Sequence, residues 1–418
     1  MKRTILFLIA AILAVGTAWA DEHEFGIKWS GFVKADHFFD SRQTVTAREG
    51  HFLLYPAAEV LDANEDDINA APSFNQLAVQ TRLKAAISAP DAFGAKVSGA
   101  IEGAFFGHSN PDINGFRLRH AFVKMSWEKT TLIAGQYWHP MFVIECFPGV
   151  VSFNTGVPFQ PFSRNPQLRL HQKLGDKATL ILAALSQRDF ASPGGSDALR
   201  NAVVPNLHAQ VQATLNNAVV GAGVDFKQLR PSLSGTNSDG QTVENTEKVT
   251  GLSYIAYAKA NVGQATVKVE GVYGQNLYDH LQLGGYGIKS SGTPGKTAQE
   301  GLPEYTPWNV MSVWGEVSGG KAVQPGIFVG YTQNMGAADE TTTAGSAVRG
   351  INIQNVFRVS PRIAYNSGKM RIAGEIEFTQ AGYVDGSVEG AYDEKLKPDN
   401  SDLSTSNIRA LLAFFLFF

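Results

Sequence analysis

The chain has 418 residues, 35 of them basic and 38 acidic, for a formal net charge of −3. The acidic balance disfavours a nucleic-acid partner, and a single cysteine, Cys146, excludes an internal disulfide. Length alone would allow two or three soluble domains, yet no low-complexity linker or shift in composition divides the chain.

The first twenty residues, MKRTILFLIAAILAVGTAWA, begin with Lys2 and Arg3. An apolar stretch from Ile5 to Val15 follows, and then Ala18-Trp19-Ala20. This is the order of a secretory signal peptide over 1–20, with cleavage expected between Ala20 and Asp21. An uncleaved anchor is the alternative. Residues 21–418 are then expected to form one domain outside the cytoplasm.

Beyond this segment no stretch of 18 apolar residues occurs, and no long run repeats at helical spacing. The dominant pattern has period two. Leu77, Val79, Leu83, Ala85 and Ile87 alternate with Gln76, Gln80, Arg82 and Lys84. Leu207, Ala209, Val211, Ala213 and Leu215 alternate with His208, Gln210, Gln212 and Thr214. Met370, Ile372, Gly374, Ile376 and Phe378 do the same against Arg371, Glu375, Glu377 and Thr379. Strands built this way have one dry and one wet face. Many of the runs are long enough to cross a bilayer at a tilt.

In chain order the pattern places strands near 25–39, 74–88, 93–107, 115–128, 130–138, 166–174, 177–187 and 204–216. The remainder lie near 218–228, 248–261, 264–275, 308–318, 322–333, 349–365, 369–380 and 405–418. Short joins such as APDA, EKTT, LGDK and NSGK alternate with long ones such as 40–73, 139–165, 276–307 and 381–404. Short turns at one end and long loops at the other predict an all-β, antiparallel transmembrane barrel of about sixteen strands. Fourteen and eighteen are the neighbouring even counts.

In the last strand Ala410, Leu412, Phe414, Leu416 and Phe418 fall on one face. That face should meet lipid, with Phe418 at the aromatic girdle. The strand should pair with the first one, because a barrel in lipid has no free edge. Apolar residues at alternate positions up to a terminal Phe resemble the sorting signal read by the barrel-assembly machinery of Gram-negative-type outer membranes. Phe414, Leu416 and Phe418 are its candidate residues here.

The loop between the fifth and sixth strands, HPMFVIECFPGVVSFNTGVPFQPFSR, runs from His139 to Arg164 and carries one acid, Glu145. Such a composition suits a packed segment better than a free polar loop. Sixteen strands with a long connection here resemble the trimeric porins, and the flanking LIAGQYW (Leu132–Trp138) and RNPQLRL (Arg164–Leu170) are similar to segments of the dicarboxylate-type, DcaP-like porins. The resemblance implies that this third long loop folds inward as a constriction, that the protein forms a homotrimer, and that it passes small polar or anionic solutes. Some members of that group have an N-terminal helical stalk. Here only four residues separate the expected cleavage site from the first strand.

Candidate lumen residues follow from the alternation. Arg82, Lys84 and Lys96 lie on the wet face of the second and third strands, and Arg169 and His171 on that of the sixth. Arg117 and Arg119 join them if Phe116 and Leu118 face lipid. Ala121, Val123, Met125 and Trp127 argue for the opposite phase on the same strand. With Arg164 these residues predict a mainly basic wall. Glu270, Glu375 and Glu377 predict a more acidic wall opposite, with Glu145 on the loop between. The rival reading is ordinary solvated lumen charge without preference, since the narrowest section sets selectivity.

Asp62, Asn64 and Asp66 match the first ligand spacings of a calcium loop, but Asp67 stands where that loop needs Gly and Ser73 where it needs Glu. A solvated acidic loop is the simpler reading. His139 suits packing or a hydrogen bond better than metal ligation, and with Cys146 it lacks a third catalytic partner. No cofactor is implied. The expected function is a passive outer-membrane diffusion channel, not an enzyme. A barrel lipase or protease, or an adhesive or structural barrel, is the alternative.

Overall fold

The computed structural model describes residues 24–237, 239–290, 302–399 and 403–418. The expected signal peptide and its cleavage site lie outside the described residues. No described helix is long and apolar enough to cross a membrane.

Among the described residues sixteen antiparallel strands close into a barrel. They are β1 (Gly26–Asp40), β2 (Arg82–Ala92), β3 (Ala95–Ala104), β4 (Arg117–Ser126), β5 (Thr130–Trp138), β6 (Arg164–Leu174), β7 (Ala178–Leu185) and β8 (Asn206–Thr214). The second half comprises β9 (Ala218–Leu229), β10 (Val249–Val262), β11 (Ala265–Gln275), β12 (Tyr305–Gly319), β13 (Val323–Ala337), β14 (Ile353–Ser367), β15 (Met370–Tyr383) and β16 (Leu403–Phe417). Each neighbour in this order pairs with the next, and β1 closes the ring on β16 in the register Phe32↔Phe417 to Asp40↔Arg409. Closure leaves no backbone donor or acceptor facing lipid along an edge.

The outer face is apolar as the alternation requires. Ile101, Val123, Leu168, Val211, Val269 and Ile363 are all exposed there. On β16 Leu412, Leu416 and Phe418 point outward as expected, while Phe415 and Phe417 line the interior.

Two irregularities change the phase. Before β2 the chain pairs with β1 through Ser73–Leu77 (Asp36↔Leu77), breaks at 78–81, and resumes at Phe32↔Arg82. Four steps along β1 therefore oppose five along its partner, which is a β-bulge. Leu77 and Val79, which the alternation assigns to the lipid face, are turned inward instead, and Val79 is buried in the interior core. The second bulge lies in β4, where pairing shifts from Glu102↔His120 to Gly103↔Leu118. Phe116 and Leu118 face outward before it, and Val123 faces outward after it. Both phases seen in the sequence of β4 are therefore correct, one on each side of the bulge.

Candidate functional site: the filled lumen

The third long loop, 139–163, folds into the barrel. Met141, Val143, Cys146, Val157 and Phe159 are almost fully buried and join residues of β10, β11, β12, β13 and β14 in one apolar core. The far wall holds the loop by its backbone. The Glu375 carboxylate accepts from the N–H of Val151 and, at 3.4 Å, of Ser152. Glu316 accepts from the N–H of Gly149. The Asn154 amide donates to Glu377 Oε1 at 2.6 Å. Two of the three expected wall acids, Glu375 and Glu377, thus position the loop, and Glu316 was missed. Glu270 is also buried, accepting from Trp314 Nε1 at 3.2 Å. Glu145 stays half-buried on the loop.

A second loop also enters the lumen, which the sequence reading did not expect. Thr44–Ala47 and Phe52–Pro56 form a hairpin, and all five residues of Phe52–Pro56 are buried. Phe52 packs against Phe153 and Phe162 of the third loop at ring-centroid distances of 4.7 and 5.1 Å. The apolar run FLLYP inside an otherwise polar connection is the signal that could have revealed it. Arg358 on β14 joins the two loops. Its Nη1 donates to Val157 O at 2.8 Å and its Nη2 to Leu53 O and Leu54 O at 3.1 Å.

The basic wall forms on β2 to β6 but is mostly compensated. Arg119 Nε is 2.6 Å from Glu102 Oε1. Arg117 and Arg164 both engage Asp189, a residue of the β7–β8 connection. Arg169 donates to Gln167 Oε1 at 2.8 Å and to the carbonyl of Trp138. Lys84 and His171 are half-buried, and Lys96 is exposed near the short turns. Glu102 and Asp189 were not foreseen. Asp189 could not have been, because it lies far along the chain in a loop with no periodicity.

Beneath the third loop, on the side of the short turns, lies a cavity of about 610 Å³. Its basic lining residues are Lys34, Arg82, Arg362 and Arg371, and no carboxylate lines it among the described residues. Lys34 pairs with Asp36 at 2.9 Å and Arg362 with Glu316 at 3.2 Å. Among the described residues Arg371 donates only to Asn366 Oδ1 at 2.7 Å. Arg82 makes no hydrogen bond or ion pair among the described residues, and its Nε is buried and unpartnered.

The remaining candidates are local. Asp62 accepts from the N–H of Asn64 at 2.7 Å and of Asp66 at 3.0 Å. These bonds, that from Asp66 first, hold its carboxyl below the usual carboxylate range. An aspartate turn explains this loop. His139, His208 and Asp225 gather their polar atoms within 4.8 Å. The Met141 N–H points at His139 Nδ1 at 3.2 Å. An N–H can only donate, so Nε2 of neutral His139 carries the proton and can give it to Asp225 at 3.4 Å. The trio reads as a hydrogen-bonded network, in line with the packing role expected of His139.

A large closed barrel with an apolar belt and loops folded into its lumen defines the fold class of outer-membrane channels. The outer membrane channel DcaP of Acinetobacter baumannii shares it, with a TM-score of 0.67 and 14% identity over 96% of this chain and 99% of that one. An anion-selective porin from Comamonas acidovorans matches with a TM-score of 0.55 and 10% identity, over 94% and 100% of the two chains. OmpT of Vibrio cholerae, an outer membrane protein in its trimer form, gives 0.53 and 11% over 95% and 100%. No protein-family model and no curated protein matches the chain. The likeness lies in the fold.

Proposed function

We propose that the protein is a porin of a Gram-negative-type outer membrane, a passive diffusion channel for small polar solutes that favours small anions such as carboxylates. The observation that carries this reading is the cavity lined by Lys34, Arg82, Arg362 and Arg371 without a carboxylate. Fixed positive charge on low-dielectric walls raises the local concentration of anions. The mechanism needs orientation and field, with no covalent step. Residues Phe414, Leu416 and Phe418 serve assembly in this reading, and the trimer form of one protein with the same fold supports a homotrimer.

The test is a planar bilayer experiment with the refolded protein. Stepwise conductance with a reversal potential displaced toward that of the anion is expected in a potassium chloride gradient. A sealed barrel, or a cation-displaced potential, would overturn the reading.

A further inference from the structure

The floor of the turn-side cavity is not made of charge alone. Phe32 on β1 and Phe415 and Phe417 on β16 form an aromatic group at its mouth. The ring centroids of Phe32 lie 6.0 Å from Phe415 and 5.9 Å from Phe417. Phe415 and Phe417 are nearly parallel at 5.7 Å. All three rings are half-buried and line the cavity.

Cross-strand register explains the arrangement. Arg82, Phe32 and Phe417 form one row across β2, β1 and β16. Arg371, Phe415 and Lys34 form the next row across β15, β16 and β1. An arginine therefore ends each row on opposite sides of the rings. The Arg82 guanidinium lies 5.1 Å from the Phe32 ring, and that of Arg371 lies 5.4 Å from Phe417. The outer strands β2 and β15 are three strand spacings apart, on the order of 14 Å.

Two facts separate these arginines from the others in the lumen. Among the described residues neither forms an ion pair with a carboxylate, whereas Arg117, Arg119, Arg164, Arg358 and Arg409 all do. Arg169 has no carboxylate either, but its Nε and Nη2 are taken by Gln167 and the Trp138 carbonyl and it does not line the cavity. Both keep hydrogen-bond donors unpaired beside an open cavity. A guanidinium held over an aromatic ring still has N–H groups to offer an incoming oxyanion.

We infer that Phe32, Phe415 and Phe417 with Arg82 and Arg371 form a subsite at the turn-side mouth for anions that carry a flat unsaturated ring, the aryl carboxylates. The carboxylate meets one of the two arginines and the ring lies against the phenylalanines. The subsite deepens the proposed channel function and rests on it for its place in transport. A simple positive mouth would attract acetate and benzoate alike. This one prefers benzoate, because ring–ring contact adds to the charge interaction.

The test has two arms. In bilayers, benzoate and acetate are added separately to each side and the reduction of chloride current is followed. Benzoate from the turn side is expected to act at about one-fifth the concentration of acetate, a ratio of the size an aromatic pair supplies. In detergent micelles, saturation-transfer NMR compares benzoate with cyclohexanecarboxylate on the refolded barrel. Phe32→Leu and Arg371→Gln should each bring benzoate toward parity with the non-aromatic anions, with circular dichroism confirming a folded barrel. Equal action of benzoate and acetate in the wild type, or a benzoate preference that survives both variants, would overturn the subsite. A protein that conducts nothing would overturn the channel reading, and the micelle arm would still decide the subsite.

Discussion

Arg164 closes on Asp189 with both Nε and Nη2 at 2.8 Å from Oδ2, and both side chains are about 1% exposed. Arg117 holds the other oxygen of the same carboxylate. One acid from the β7–β8 connection thus balances two of the arginines expected to line the pore. In the proposed channel, positive charge acts on anions where it is left without such a partner.

Replacing that acid should therefore raise anion preference. In Asp189→Asn one of the two guanidinium groups keeps a side-chain acceptor, the other faces the amide NH2, and both lose the compensating charge. The reversal potential should move further toward the anion limit, and thermal stability should fall because two buried charges lose their partner. An unchanged potential would mean that Arg117 and Arg164 do not face the permeating ions.

The triple variant Arg117→Ala, Arg119→Ala and Arg169→Ala should lower anion preference and the flux of a small dicarboxylate into liposomes. The double variant Arg82→Ala and Arg371→Ala should lower it more, since both side chains line the cavity without a carboxylate partner among the described residues, whereas Arg117 and Arg119 are paired with acids and Arg169 does not line it. Reversal potentials measured side by side order the two. The opposite order would move the selective section up to the β4–β6 wall.

Arg358→Leu removes the three donations that tie the inward hairpin and the third loop to β14. It also leaves Glu377 short of a cation 3.8 Å away. Greater open-channel noise and a larger mean conductance are expected as the two loops loosen. A quiet channel of unaltered conductance would show that the apolar core alone keeps them in place.

The β1–β16 seam is locked from inside by Asp40 and Arg409, with Nε 2.9 Å from Oδ1 and Nη2 2.7 Å from Oδ2. Breaking a buried pair on one side costs about 3 kcal/mol. Asp40→Leu should lower the temperature at which the refolded barrel loses its heat-resistant migration in gel electrophoresis. Full heat resistance in the variant would show that the backbone ladder suffices.

Phe418 and Gly31 exchange backbone hydrogen bonds at 3.2 Å in each direction, and the Phe418 ring covers the space a Cβ on Gly31 would need. Deleting Phe418 removes this end of the seam and apolar burial worth about 1.5–3 kcal/mol. The proposed assembly role predicts a larger loss in the amount of barrel reaching the outer membrane. Wild-type levels of the truncated protein in outer-membrane fractions would refute that role.

Much of this molecule can be read from its sequence. The sixteen strands, their order and the outward face of β16 follow from alternation and loop length, and the inward third loop from its composition and the porin resemblance. What escapes is whatever alternation does not encode. Val79 looks like a lipid-facing residue until the break at 78–81 turns it inward. Asp189 and Glu102 decide which arginines carry free charge, yet pairing with Arg117 or Arg119 leaves no trace in spacing. The hairpin ending in Phe52–Pro56 left a visible apolar run, but a long connection gives no direction of folding.

The bulge at Arg119–His120 has a consequence for how this chain can vary. In a strand of period two, parity is the address: odd or even decides lumen or lipid. One supernumerary residue in β4 swaps the two addresses midway, so Arg119 and Phe122 both point inward although their numbers differ by three. Loss of a single residue there would do more than shorten the strand. It would send Val123 and Met125 into the barrel interior, or else Arg117 and Arg119 into lipid. Substitutions in β4 can be absorbed one at a time, but a change of length has to be matched by an equal and opposite change within the same strand.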